Sequence, residues 1–296
     1  RLISFFLVIN FFSIILFNSF LFFGVNEIYL KTLIIALILI GFYKPDNIQV
    51  LFKKYILINT KTKLLLFIII LGYFLISLLP ITDPDSLDYH LTFPYLSLIN
   101  ENFFIQKEWF TSQLAGAGES LIIFGLSINA YKLSSILQFV ALFSIVIAIL
   151  NLKHEKYYLS LNIKILISLA ILCIPSFLFL TFTSKPQLFA ISTNFIAFLM
   201  AFFILPFEKN NKKFITSFSI ISFLCLSATQ FKFSFFLSSG VILLFASTEL
   251  FKRKLLFKGF LITLFFFLII VFPRELYDYK YISQDIIRNF FSPATD

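Results

Sequence analysis

The sequence predicts an all-α integral membrane protein of about nine transmembrane helices. Three observations carry that expectation. The 296-residue chain is 59% hydrophobic, with a mean hydropathy of +0.96. Only 13% of its residues are charged, about half the share usual in water-soluble domains, so a soluble fold of this length has no means of hiding its apolar surface. The basic residues also gather in short segments that fall on one side of a membrane when the apolar runs alternate across it.

A spanning helix needs roughly 20 mostly apolar residues. Runs of that kind occupy 2–23, 28–43, 64–80, 131–150, 164–182, 187–206, 214–230, 233–250 and 259–273. The first follows Arg1 as a signal peptide would. It is longer than an ordinary signal core, and no small-residue cleavage site follows it, so it reads as a helix. Pro80, Pro175, Pro186, Pro206 and Pro273 fall inside or at the ends of these runs, where neighbouring helices can satisfy the freed carbonyls. Residues 119–128 are apolar but short, and read as an interfacial helix leading into 131–150. No internal repeat or low-complexity linker divides the chain, so 1–296 reads as a single polytopic domain. It opens on Arg1 rather than Met and closes at Asp296 in a polar segment, which reads as trimming at both ends. The 45 phenylalanines read as codon bias and lipid-facing filler rather than a motif.

Orientation follows from the lysines and arginines. Arg1 and the segments 44–63, 151–164, 207–213 and 251–258 hold 16 of the 24 basic residues. Against them stand Asp46, Glu155, Glu208 and Glu249, giving that side a net charge of +12 and the other −3. The basic side is therefore the cytoplasm, with the N-terminus on it. The loop 81–118, partly helical, and the tail 274–296 lie outside. The protein's net charge of +9 is accounted for by topology and anionic headgroups, so no nucleic-acid partner is implied; the bilayer itself is the partner. Cys173 and Cys225 lie within apolar runs as packing residues. His90 and His154 are the only histidines, too few for a multi-histidine metal site.

The chemistry-bearing residues concentrate outside. Residues 81–95 read Ile-Thr-Asp-Pro-Asp-Ser-Leu-Asp-Tyr-His-Leu-Thr-Phe-Pro-Tyr. Pro84 and Ser86 mark a turn, with Asp85 or Ser86 as a helix cap. On a helix over 86–95, Asp85, Asp88 and Tyr89 share a face. Carboxylates as close as Asp83, Asp85 and Asp88 either hold a cation or push one of their number toward general-base range. The plain alternative is a solvated acidic turn. Three cations mark outer helix ends: Lys185 in Thr-Ser-Lys-Pro-Gln, Lys232 in Gln-Phe-Lys-Phe-Ser and Arg274 in Phe-Pro-Arg-Glu. Together they could clamp a phosphate; singly, each could snorkel to headgroups. Trp109 reads as an interface anchor or a sugar-stacking ring. Gly116 and Gly118 form a turn into the next helix, with Glu119 as an extra carboxylate, and Asn194 and Gln230 are candidates for interhelical hydrogen bonds.

The acidic motif in a long outer loop of a polytopic chain resembles the GT-C class of membrane glycosyltransferases. The stretch Asp83–Pro94, with Glu108-Trp109-Phe110 and the Gly116–Glu119 turn, also looks like a group of bacterial membrane proteins sharing this layout. The resemblance covers most of the chain as topology and about fifteen residues as motif. It implies a polyprenyl-phosphate sugar donor, a lipid or glycan acceptor, and residence in the bacterial cytoplasmic membrane. Asp85, Asp83 and Asp88 would be the catalytic carboxylates. Lys185, Lys232 and Arg274 would bind phosphate, and Tyr89, His90, Glu119 and Trp109 would bind substrate. Asp83 and Asp85 would hold a divalent cation, Mg or Mn, if one is used. In many class members the acidic loop follows the first span, whereas here it follows the third. The 296 residues are also fewer than is usual for the class and include no C-terminal soluble domain, both of which trimming would explain. A transporter or flippase for a lipid-linked or anionic substrate is the competing expectation, and it calls for broken helices and ionisable groups at mid-membrane depth. A structural subunit whose outer loop binds a partner is a third.

Overall fold

A computed structural model of the chain describes residues 2–25, 60–103, 115–152 and 160–278. The expected span 28–43, Trp109, His154 and the end of the outer tail lie outside the described residues. Every described element is helical: α1 (Leu2–Phe23), α2 (Thr60–Ser77), a π-helical turn (Ser86–Leu91) running into α3 (Thr92–Ile99), α4 (Ala117–Ser127), α5 (Leu133–Asn151), α6 (Leu161–Leu172), α7 (Pro175–Phe182), α8 (Gln187–Phe203), α9 (Asn211–Phe231), α10 (Phe236–Lys252), α11 (Leu256–Ile270) and α12 (Phe272–Asp278). Short 3₁₀ turns precede α9 and α10. Five of the described helical segments are long and apolar enough to cross a membrane, and six if α6 and α7 count as one. The apolar stretches Leu64–Ser77 and Leu256–Ile270 are shorter.

The expected span 164–182 is two helices meeting at 61°, which together still pass as one broken span. Pro175 is the reason. It sits at the first position of α7, lacks an N–H, and its ring would clash with the carbonyl four residues back in a continuous helix. The break would leave the Leu172 carbonyl without a partner in an apolar setting. The Tyr73 hydroxyl of α2 donates to it, the kind of repair that lets proline persist within a membrane helix. Residues 119–127 form most of α4, in which Ala117, Leu121, Ile122 and Ile123 are buried together with Glu119 and Ser120.

The described chain forms two compact units, with the division falling within α4 and α8. In the first unit (1–24, 103–120 and 190 onward), α9 is the central helix and packs against α1, α10 and α11. Its buried hydroxyls turn back onto their own helix, Ser227 donating to the Phe223 carbonyl (2.6 Å) and Thr229 to Cys225 (3.1 Å), so they cost little in an apolar core. Asn194 donates to Ser238 (2.8 Å) and accepts from Ser239 (3.0 Å), linking α8 to α10. In the second unit (25–102 and 121–189), α5 packs against α2, α6 and α7. There Gln138 accepts from the Phe189 N–H (3.1 Å), supplying a partner for one of the N–H groups that open α8.

Candidate functional site

The acidic turn belongs to the second unit and begins where α2 ends. Lys132, just before α5, donates to the Leu79 carbonyl and so ties down the chain entering the turn. Asp83 caps the turn itself. Its carboxylate accepts from the Ser86 N–H (2.9 Å) and from the Ser86 hydroxyl (2.8 Å). This is the N-cap arrangement, with Pro84 in the first position after the cap, where a missing N–H costs nothing. The cap is therefore Asp83 rather than Asp85 or Ser86. The chain then winds as a π-helical turn over Ser86–Leu91, and the wider spacing breaks up the expected shared face. Asp85 and Asp88 are exposed, whereas Tyr89 and His90 are 5% and 1% exposed, with ring centroids 4.2 Å apart. The two rings are thus buried against each other within the turn.

Lys185, in the short link between α7 and α8, brings the acids together. Its ammonium lies 3.2 Å from an Asp83 oxygen and 2.7 Å from an Asp85 oxygen. The two pairs differ in setting: the Asp83 side chain is 12% exposed and that of Asp85 57%, against 11% for Lys185. Burial would push the Asp83 carboxyl up, but hydrogen bonds from Ser86 and Lys185, and the Lys185 charge, outweigh it and hold the group below its ordinary range. Burial would likewise lower Lys185, and its bonds to Asp85 and Asp83 reverse that, raising it. The same ammonium sits 5.0 Å from the Phe179 ring centroid. It stands in the lining of an open groove of about 400 Å³ whose other walls are Pro175, Ser176, Phe179, Leu180 and Gln187. An apolar trough with one cation in its wall, and an exposed carboxylate bonded to that cation, can hold an apolar tail with an anionic head and accept a proton beside it.

The two carboxylates named for a divalent cation are arranged for an ammonium instead. Asp83 already accepts from Ser86 and Lys185, and no group of three His, Cys, Asp or Glu side chains comes together as metal ligands among the described residues. The donor set does not fit a metal ion, and no step here runs through one.

The other predicted residues lie in the first unit. Arg274 is 8% exposed and donates to the Ala115 carbonyl. Glu119 is 1% exposed and accepts from the Gly116 N–H (2.7 Å), the backward-reaching half of a capping box at the start of α4. Ser13 of α1 donates to the Ala117 carbonyl (2.5 Å). Gly116 is required where it is, because a Cβ would lie 2.4 Å from the Gln230 carbonyl oxygen. Arg274 and Glu119 thus pin the backbone at 115–119, and Lys232 is the half-buried residue that ends α9.

Lys185 was legible as a cation at a helix end, but its pairing across about a hundred residues was not; nothing local to Thr-Ser-Lys-Pro-Gln points to Asp83. Lys132 was missed altogether, its only signal being a lone lysine opening an apolar helix.

A family model described as the DUF1420 N-terminal domain matches residues 7–295. No curated protein matches the chain, and no solved structure does. With nearly its whole length matched, the chain belongs to the DUF1420 N-terminal domain family.

Proposed function

We propose that this DUF1420-family membrane protein is a glycosyltransferase. It moves a sugar from a polyprenyl-phosphate donor to a lipid or cell-surface glycan acceptor on the extracytoplasmic face of the bacterial cytoplasmic membrane. The supporting observation is the Asp83–Lys185–Asp85 cluster: an exposed carboxylate bonded to an ammonium that also lines an apolar groove. The prenyl tail lies along Phe179 and Leu180, and Lys185 faces the phosphate. Asp85 takes the proton from the acceptor hydroxyl as that oxygen bonds to the sugar's anomeric carbon. The bond from that carbon to the phosphate oxygen breaks, the electron pair leaves on the phosphate, and Lys185 stabilises the charge developing there. Attack from the face opposite the phosphate inverts the anomeric centre. Asp83 positions Lys185 and caps the turn. In this reading the protein has nine spans, an inward N-terminus, and loop 81–118 and the C-terminal tail outside. Trp109 contacts the sugar, and Asp88, Tyr89 and His90 shape the turn. Lys232, Arg274 and Glu119 order the backbone at the outer ends of the first unit.

A second reading, a flippase for a lipid-linked anionic substrate, is favoured by one observation: the 61° break between α6 and α7, the type of discontinuous helix that lines transport sites. Proteoliposomes carrying the purified protein separate the two. Supplied with radiolabelled sugars on polyprenyl phosphates and with mixed lipid and glycan acceptors, they should accumulate label covalently in an acceptor. Label that crosses the bilayer still attached to its original lipid would instead support the flippase and reject the transferase.

A further inference from the structure

A second cavity, of about 710 Å³, runs along α10 and α11 in the first unit. Its α10 wall extends from Phe236 to Leu250, a length of about 20 Å at the helical rise. Both hydroxyls in the wall have partners, Ser247 donating to the Leu243 carbonyl (2.8 Å) and Thr263 paired with Ser222 (3.3 Å), so the surface offered is hydrocarbon. At Gly240 no atom lies near where a Cβ would be. At Gly259 a Cβ would lie 2.2 Å from Leu250 Cδ1, so α10 and α11 close together there, beside the turn that joins them. Leu244, Phe257 and Phe260 are 70%, 72% and 61% exposed along the cavity.

That turn carries Lys252, Arg253, Lys254 and Lys258 against the single acid Glu249. Glu249 takes Lys252 (2.6 Å), and Arg253 lies over the Phe214 ring at 4.1 Å. Lys254, in the left-handed region at φ 57°, and Lys258 are both exposed. Charge and groove therefore meet at one end of the helix pair.

We propose that this groove and turn form a binding site for an anionic phospholipid. An acyl chain lies between α10 and α11, and the phosphate sits against Lys254 and Lys258. A zwitterionic lipid finds the same trough but gains nothing from the two ammonium groups, each worth about 1 kcal/mol near an anionic headgroup. A second copy of the chain fits less well, because a two-fold axis along the membrane normal sets the same basic turn at the same depth in both copies. The site is separate from the acidic turn and does not rest on the glycosyltransferase reading.

The test uses the purified full chain and native mass spectrometry, with phosphatidylglycerol and phosphatidylcholine as probes. Wild type should retain phosphatidylglycerol about thirtyfold better. K254Q/K258Q should erase that preference while keeping the basal phosphatidylcholine level. G240F, which adds a ring where there is open space, should reduce retention of both lipids. Equal retention of the two lipids by wild type, or a preference that survives K254Q/K258Q undiminished, would overturn the proposal. So would efficient disulfide cross-linking of G240C between copies, which would give the groove to a second chain.

Discussion

Asp83 and Asp85 share one lysine but do different work. Asp83 is nearly buried and holds three bonds, two from Ser86 and one from Lys185. Asp85 is more than half exposed and bonds through one oxygen to Lys185. Asp83→Ala therefore removes a cap and leaves a buried ammonium short of a partner, and should cost about 2 kcal/mol in denaturant unfolding. Asp85→Ala should cost less, about 1 kcal/mol, because its own carboxylate is solvated and Lys185 keeps Asp83. The pH dependence of unfolding has a fixed sign on each side. The Asp83 carboxyl is held below its ordinary value of 3.8, so its contribution is complete above that value and is lost as pH falls through the lower folded value. Lys185 is raised above 10.5, so its contribution is complete below that value and is lost as pH rises past it into the higher folded one. Asp83→Asn should flatten the acid limb of a melting-temperature profile, and an unchanged limb would remove Asp83 from the pair. The local sequence showed the acids but not their assignment. Asp85 and Ser86 both read as caps from the sequence, whereas Asp83 holds the cap through Ser86 and also pairs with a lysine held by a distant helix link.

At the scale of elements, the break between α6 and α7 ties the groove to α2. The Tyr73 hydroxyl fills the place of the helical bond that the break at Pro175 denies to Leu172. Tyr73→Phe should lower stability by about 1 kcal/mol, in line with hydrogen bonds measured between membrane helices. It should also loosen the lining at Pro175 and Phe179, visible as faster labelling of a cysteine placed at Ser176. Unchanged stability and labelling would show that the break is supported by packing alone. The apolar runs made the existence of helices readable, because period and length are local properties. The break was not read, because proline inside a membrane run is compatible with either a kinked or a continuous span.

For the whole molecule, apolar composition was the most legible property. The described residues give five helical segments long enough to span, six with the bent pair, and the apolar runs propose nine. Cysteine accessibility in intact cells measures this directly. Single cysteines at Asp88 and Gln187 should react with an impermeant thiol reagent, and one at Lys254 only after the membrane is opened. Reaction of Lys254→Cys in sealed cells would reverse the orientation or change the span count. Composition and loop charges made the membrane class legible because both are sums over the chain. The ion pair that defines the candidate site was not, since it joins residues on either side of a long intervening segment.

The most direct measurement compares label transfer from polyprenyl-phosphate sugars by wild type, Asp85→Ala and Asp88→Ala at matched membrane expression. A base at Asp85 predicts that Asp85→Ala loses at least about a hundredfold, the usual worth of a positioned general base. Asp88→Ala, exposed and outside the Lys185 pair, should keep most of the wild-type rate. Equal activity in wild type and Asp85→Ala would contradict the account, and the acidic turn would then be a solvated cap with no part in the chemistry.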